Sequence, residues 1–464
     1  MQETVWEPRK EIPVLGHFDV AVVGAGLAGC CAAISAGRKG VKTVLIERGG
    51  MLGGVSTASL MSSITNFFFT SDDRQVIKTL PAEIVERIVK GSPLENVWKT
   101  HKVNQIPHNA ENTQNILFSL LRSARVTILL HSFVYGALPG REGDTLEGIV
   151  IATKAGSRAV LARQIVDCSG DADIAVLAGD DTITHAADYS TMMFEMSNVD
   201  TDVLMQHFID HPGDYDDQKD IPISFSEFVK NYYEKGQFHI PHGGGKKISV
   251  LQNAIAGGRF ERNRGLARDL DALGLFGLRG TGRLLVNSNF FDIHPVQDIA
   301  ETSQAELEGR EAAAYVADFL IRSMPGFQKA IVSRTGAELG NRLARQIFGK
   351  RMLRLEEYVQ NKAFDDVVAY TSGYYRNAED KGMVASPCIF GIPYGILLPS
   401  KTKNLIIGSG KSISAERLLK RYCLRGQANT MLFGEIAGLA AATAVQSNIA
   451  LPDLDPARIL THFA

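Results

Sequence analysis

No two of the five cysteines, Cys30, Cys31, Cys168, Cys388 and Cys423, are spaced as a C-x-x-C pair or as zinc ligands. A thiol–disulfide reductase needs such a dithiol, so that mechanism is excluded. An odd count without an apolar leader argues for reduced thiols, each expected to serve as a small buried apolar residue. Charge of one sign is also lacking. The 49 Lys and Arg against 51 Asp and Glu leave a formal charge of −2, which gives no electrostatic case for nucleic acid or an anionic membrane. The longest apolar stretch, Gly434 to Ala450, is broken by Glu435, Gln446 and Asn448, short of the roughly 18 uncharged residues a membrane span needs. The opening MQETVWEPRKEIPV has mixed charge and no signal core, so a cytoplasmic protein is expected. No internal repeat and no low-complexity segment interrupts the chain.

What is present suits a globular protein of about two or three compact units, with 464 residues of which 45% are hydrophobic. Phe18 to Val23 is a short β-branched run ending at Gly24, as buried parallel strands do. Leu27 to Arg38 is rich in Ala, Cys and Ile and suits a helix packed on a sheet, closed by Gly40. Lys42 to Ile46 is a second strand, completing a βαβ start. The pattern is irregular after Gly53–Gly54 until a helix predicted over Asn112 to Arg125. Val126 to Leu130, Leu146 to Thr153 and Ala159 to Val166 then read as strands of a small antiparallel meander. A long middle section, 180–385, contains one clear helix, Asp298 to Met324, stopped by Pro325–Gly326. The last strand signal is Asn404 to Ile407, and a helical tail begins near Gly426.

Gly24-x-Gly26-x-x-Gly29 lies between the first strand and helix. Gly24 permits the tight turn, Gly26 lets backbone approach a pyrophosphate, and Gly29 lets the helix sit close to the strand. The helix N-terminus at Leu27 and Ala28 presents N–H groups and partial positive charge to phosphates. Glu47 ends the second strand 18 residues after Gly29, where a carboxylate can accept from ribose hydroxyls. A second glycine loop follows, Glu47-Arg48 through Gly53-Gly54 to Ser56-Thr57. An NAD domain has no need of glycines there, whereas FAD runs on beyond the pyrophosphate and needs close backbone contact. Neither Gly243–Gly245 nor Gly280-x-Gly282 forms a second fingerprint.

The string GAGLAGCCAAISAGRKGVKTVLIERGGMLGG resembles the opening of the glutathione-reductase-fold FAD flavoproteins. IVDCSGDADIAVLAG (165–179), IPYGILLP (392–399) with Asn404 to Gly408, and Arg425-Gly-Gln427 through Gly434 to Gly438 resemble a bacterial FAD-dependent oxidoreductase family. The resemblance implies an α/β fold. A Rossmann-like FAD-binding domain of glutathione-reductase type, residues 1–70, 125–180 and 386–464, would carry an inserted α+β cap over 181–385, with 71–124 connecting the two or associated with the cap. It implies that Ser169 and Gly170 return beneath the cofactor, that Gly408 to Ser414 lies beside the phosphates and ribityl chain, and that Val134 and Gly426 also belong to the cofactor site. Many relatives place an acid after the last strand. Here Ser409-Gly410-Lys411 stands instead, so backbone contact is expected. Asn341-Arg342-Leu-Ala-Arg345 partly matches an arginine-rich stretch of the family.

Flavin supplies redox chemistry and the protein supplies position and electrostatics. Arg425, before the closing helix, is a candidate for stabilising negative charge at the reduced ring; a plain surface arginine is the competing reading. His294 is a candidate acid–base group. Arg259, Arg262, Arg264, Arg279 and Arg283 suggest an anionic substrate or, alternatively, a subunit interface between copies of the chain. Arg283 and His294 are the residues singled out for catalysis. His239-x-x-His242 lacks a third ligand, and no metal is expected. The function expected is hydride transfer between FAD and a small, anionic organic molecule. A monooxygenase using NAD(P)H and oxygen, a polysaccharide lyase, and a non-redox protein with structural FAD stand as alternatives.

Overall fold

The computed structural model describes residues 11–463 apart from 104, 187, 217–222, 261–269, 289, 295–297, 377–382 and 386–388, so Arg262, Arg264 and Cys388 lie outside the described residues. The first strand, Val14–Val23, begins four residues earlier than the apolar run from Phe18, because Gly16 and His17 separate that run from Val14 and Leu15. Along its length it pairs in parallel with Gly156–Asp167, and on its other edge with Thr43–Ile46. Thr127–Leu129 extends this sheet in parallel beyond Thr43–Ile46. It therefore belongs to the parallel sheet and not to the meander predicted for it. The meander is built from Phe133–Pro139, Leu146–Thr153 and the first half of Gly156–Asp167. Its first strand was missed because its residues are half-exposed, with Gly136 and Pro139 among them. Leu405–Ile407 joins the second half of Gly156–Asp167 in parallel, so the two ends of the chain share one sheet.

The helix Leu27–Arg38 covers this sheet, and the closing helix Gln427–Ser447 covers the helix. A Cβ on Gly434 would lie 2.0 Å from the Ala28 carbonyl oxygen, and one on Gly438 would lie 2.1 Å from that of Ala32. Glycine facing alanine brings the two backbones together, which larger side chains would prevent. The closing helix is long and apolar enough to cross a membrane by length and composition, contrary to the reading of the sequence, and 89% of its apolar window is buried inside the protein. Glu435, which interrupts it, is itself buried and accepts hydrogen bonds from Thr79 Oγ1 (2.6 Å) and the Leu80 N–H. Leu80–Val89 and most of the apolar face of Ala110–Ser123 pack into this same core.

A second core lies in the middle section. Its five-stranded antiparallel sheet runs Gln237–Ile240, Gly274–Leu278, Arg283–Asn287, Phe194–Ser197, Ile331–Thr335. Alternation sorts its faces. Phe238, Ile240, Leu284, Val286, Phe194 and Met196 join helices such as Thr201–Asp210, Ser249–Ala256 and Ile299–Ser323. Phe276, Leu285 and Met193 point the other way and pack with Leu60 and Met61, just beyond the second glycine loop. The face of this second sheet that carries Phe276 and Leu285 thus looks onto the first unit, and a cleft remains between them.

Candidate functional site

The fingerprint glycines divide by what surrounds them. Gly24 has φ +90°, and a Cβ there would lie 2.5 Å from the Cys168 carbonyl oxygen. A Cβ on Gly29 would lie 1.8 Å from the Gly24 carbonyl oxygen. Packing of the chain explains both. It does not explain Gly26, whose Cβ would meet no described atom within 4 Å and whose φ of −61° and ψ of 177° suit any residue. Open space therefore lies at the N-terminus of Leu27–Arg38, where no side chain caps the helix and no acid stands in the first turn. Such a terminus is a cradle for phosphate oxygens. The second glycine loop abuts the first. The Gly53 N–H donates to the Ala25 carbonyl (2.8 Å), and a Cβ on Gly54 would lie 2.9 Å from the Gly26 Cα.

Glu47 sits at the mouth of this turn. Its carboxylate accepts from the Ala25 N–H (2.7 Å) and the Gly49 N–H (2.8 Å), which hold it in place. The Ser132 N–H donates to the Glu47 carbonyl and the His131 N–H to that of Gly49, bringing the strand that carries Val134 alongside. Arg48 is exposed and ion-paired with Glu338. Ser56 Oγ donates to Gln427 Oε1 (3.1 Å) and stands 3.1 Å from His108 Nε2, so the second glycine loop is tied to the first residue of the closing helix. Burial pushes the His108 pKa down to about 4, leaving a neutral ring in that link. Thr57 Oγ1 donates to the Leu52 carbonyl.

At the same end of the sheet, beside Val23 and the Gly24 turn, Asp167 is a buried carboxylate that the sequence reading had not singled out. Its Oδ1 accepts from the Ser169 N–H (3.0 Å) and Oγ (2.6 Å), and its Oδ2 from the Ile174 N–H (2.9 Å). Burial, aided by Asp173, pushes its pKa up to about 6 against these hydrogen bonds. The turn so formed sets Gly170 at φ +97°, opposite Lys411, whose Nζ is 3.5 Å from Asp171. The Gly408 N–H donates to the Asp167 carbonyl (2.9 Å), placing the loop after the last strand beside Ser169. Ser414 is fully buried, with its Oγ 3.7 Å from Met352 Sδ and its N–H on the Ile396 carbonyl.

Between the two units lies a cavity of about 670 Å³, a usual size for a small-molecule site. Val55, Met61 and Phe67 line it from the first unit, and Met193, His242 and Asn287 from the second. Gly426, the N-cap of the closing helix, is part of its wall. Arg425 precedes it, its Nε donating to the Arg421 carbonyl (3.1 Å) across a stretch of π-helix, Lys420–Leu424. That irregularity is frequent at functional sites. Arg342, Arg421 and Arg425 all line the cavity. Burial, then Arg425, pushes the Arg342 pKa down to about 9.

The other residues singled out for catalysis are not brought here. Arg283 is exposed at the outer end of its strand. Only the opposite end, Asn287, reaches the cavity, about 13 Å away at ~3.3 Å per residue. His294 is half-exposed, with Nδ1 3.2 Å from Glu301 Oε2, at the head of the helix Ile299–Ser323. Arg279 pairs with Asp202 (2.9 Å) and lies over Tyr232 and Tyr233, and Arg259 is exposed. The site's arginines come instead from Arg342, in the partly matching family stretch, and from Arg421 with Arg425. The four-residue spacing of the last pair, just ahead of the closing helix, was the available signal. His239 stacks on Phe276 (5.1 Å) with its pKa pushed down to about 3 by burial, and no metal-ligand cluster occurs among the described residues.

A family model described as FAD dependent oxidoreductase matches residues 19–462. None of the curated proteins compared with the chain matches it. Similar solved structures include a geranylgeranyl bacteriochlorophyll reductase-like protein from Thermoplasma acidophilum, with 13% identity, 96% of this chain and 82% of that chain covered, and a TM-score of 0.44. Others are p-nitrophenol 4-monooxygenase from Pseudomonas putida (11%, 95% and 84%, 0.46) and glycine oxidase from Geobacillus kaustophilus (12%, 93% and 95%, 0.41).

Proposed function

The chain belongs to the FAD dependent oxidoreductase family, and from that premise we propose that it is an enzyme whose substrate is a small molecule held in the cavity between the cap sheet and the closing helix. The FAD-binding unit would be of glutathione-reductase type, with the cap inserted over residues 181–385. FAD, when bound, supplies two-electron hydride chemistry. The N–H groups of Leu27, Ala28 and Gly29 would hold its pyrophosphate, Glu47 its adenosine ribose, and the Gly408 to Lys411 backbone the region next to Gly170. Arg425 and the helix terminus at Gly426 supply positive potential where negative charge develops on reduction. Met61, Met193 and Phe67 give part of the cavity wall an apolar lining.

The observation that carries this reading is Gly26, a glycine with no packing reason to be one, facing open space at an uncapped helix terminus. Anaerobic titration of the yellow, FAD-loaded protein with small alcohols, amines and organic acids, and separately with NADPH, tests it. Bleaching of the flavin band by one of the small organic compounds is expected. Bleaching by NADPH alone, or by nothing, refutes it.

A further inference from the structure

Lys420 opens the stretch of π-helix ahead of the closing helix, and its side chain is fully buried. Taking an ammonium out of water is costly unless acceptors surround it. Three do. Nζ donates to the Lys411 carbonyl (3.1 Å) and to Gln346 Oε1, and it lies 3.1 Å from His185 Nε2. Burial, then Lys420 itself, pushes the His185 pKa down to about 4, so that ring is neutral and can accept. An ammonium has three N–H groups for these three acceptors, whereas an amine has two.

The three acceptors come from two parts of the molecule. Thr182–Thr184, just ahead of His185, pairs with Arg345–Ile347, which carries Gln346. The chain runs on from the first of these strands to Tyr189 and Met193, and reaches the second from Asn341 and Arg342, all four on the cavity wall. Lys411 lies in the turn that follows the last strand of the parallel sheet. A Cβ on Gly408 would lie 2.6 Å from Cys168 Sγ, and one on Gly410 would lie 2.2 Å from the Leu424 carbonyl oxygen, so the turn is wedged between the sheet and the π-helix. The Ser409 carbonyl accepts from the N–H groups of Ser412 and Ile413. The N–H groups of Ser409 and Gly410, both buried residues, have no acceptor among the described residues. Buried donors of that kind call for an acceptor. Successive N–H groups in a turn form a concavity suited to anionic oxygens.

We propose that Lys420 is a positioning residue for FAD, holding the Lys411 carbonyl on one side and the two connecting strands on the other, so that the Ser409 and Gly410 N–H groups stay turned towards the cofactor. The proposal rests on the reading that FAD lies along this turn. The charged groups around the amine are Asp171, Lys411 and Arg417; Asp171 stands 3.5 Å from Lys411, and Arg417 stands 3.7 Å from Asp188. Burial, opposed by Asp171 and reinforced by Lys411 and Arg417, pushes the Lys420 pKa down to about 7. The ammonium is the form that serves all three acceptors, and its charge favours an anionic cofactor. Bound FAD therefore raises this pKa. Affinity is full below pH 7 and falls as pH rises through the raised value.

The test is dilution of the FAD-loaded protein at a series of pH values from 6 to 8.5, with flavin fluorescence reporting release, in the wild type, Lys420→Met and Gln346→Glu. The wild-type Kd for FAD should rise several-fold across this range. Lys420→Met should bind FAD about tenfold more weakly at pH 6 and show a flat profile. Gln346→Glu sets a carboxylate against the amine and keeps it charged, so the affinity seen at pH 6 should persist to pH 8.5. Wild-type affinity in Lys420→Met, as for a lysine that only supports the fold, overturns the proposal. So does a flat wild-type profile, or a wild-type profile that Gln346→Glu leaves unmoved. If Lys420→Met does not fold, the Gln346→Glu profile decides alone. A wild type that binds no FAD refutes the cofactor reading and the proposal together. FAD binding indifferent to both substitutions refutes the proposal and leaves that reading standing.

Discussion

Adding one methyl group at Gly26 separates a ligand's need for space from the fold's. Because the backbone there is extended and the added Cβ meets no described atom within 4 Å, Gly26→Ala should leave the FAD-free protein as stable as the wild type. A gain of ~0.4–1 kcal/mol is possible through restriction of the unfolded chain. The same methyl group would fill the space that a pyrophosphate must enter. Overpacking of that kind costs about 1–3 kcal/mol, which corresponds to a Kd for FAD raised roughly 5- to 150-fold. Gly29→Ala is the contrast. Its Cβ would stand 1.8 Å from the Gly24 carbonyl oxygen, so the FAD-free protein itself should lose stability. Calorimetric melting of both FAD-free variants, with titration of FAD into each, reads the two effects apart. Wild-type FAD affinity in Gly26→Ala, or a melting temperature lowered as far as that of Gly29→Ala, would refute the reasoning.

Glu47→Ala should weaken FAD retention by roughly 1–3 kcal/mol; unlike Gly26→Ala it should also lower the FAD-free melting temperature, since the Ala25 and Gly49 N–H groups lose their acceptor. Flavin content after dialysis and melting of the stripped protein check both halves. Gly434→Ala should cost about 1–3 kcal/mol of stability through its clash with the Ala28 backbone, measured by denaturant unfolding, and an unchanged midpoint would show that the helices separate freely. Asp167 is raised from 3.8 to about 6, so the folded protein binds more protons than the unfolded chain between those pH values, and the stability this group contributes falls as pH rises through that window. Compared with Asp167→Asn, the FAD-free wild type should lose about 2 kcal/mol from pH 4 to pH 6; parallel pH curves would rule this out.

What could be read from the sequence was local. Gly24, Gly26, Gly29 and Glu47 lie within one βαβ unit, where spacing alone sets their geometry, and the apolar run ending at Ile407 announced the strand that returns to it. Two kinds of feature were hidden. In Val14 to His17 and Phe133–Pro139 the apolar residues are interrupted by Gly16 and His17 and by Gly136 and Pro139, so no regular alternation marked either strand. The arginine cluster is assembled from positions 342, 421 and 425, and no local pattern joins the first to the others. Of the arginines between 259 and 283 that drew attention in the sequence, Arg279 and Arg283 sit at a hairpin end away from the cavity. Chain proximity is a poor guide to side chains that meet only through tertiary packing. Asp167 was equally obscure, because a carboxylate closing a buried strand is written like any other strand end until its turn is seen.

Release of the bound flavin by denaturation, with chromatographic identification and measurement against protein concentration, tests the central claim most directly. The structure predicts FAD at close to one equivalent per chain in the wild type and a markedly lower amount in Gly26→Ala. FMN in place of FAD, or equal FAD in both proteins, would contradict it.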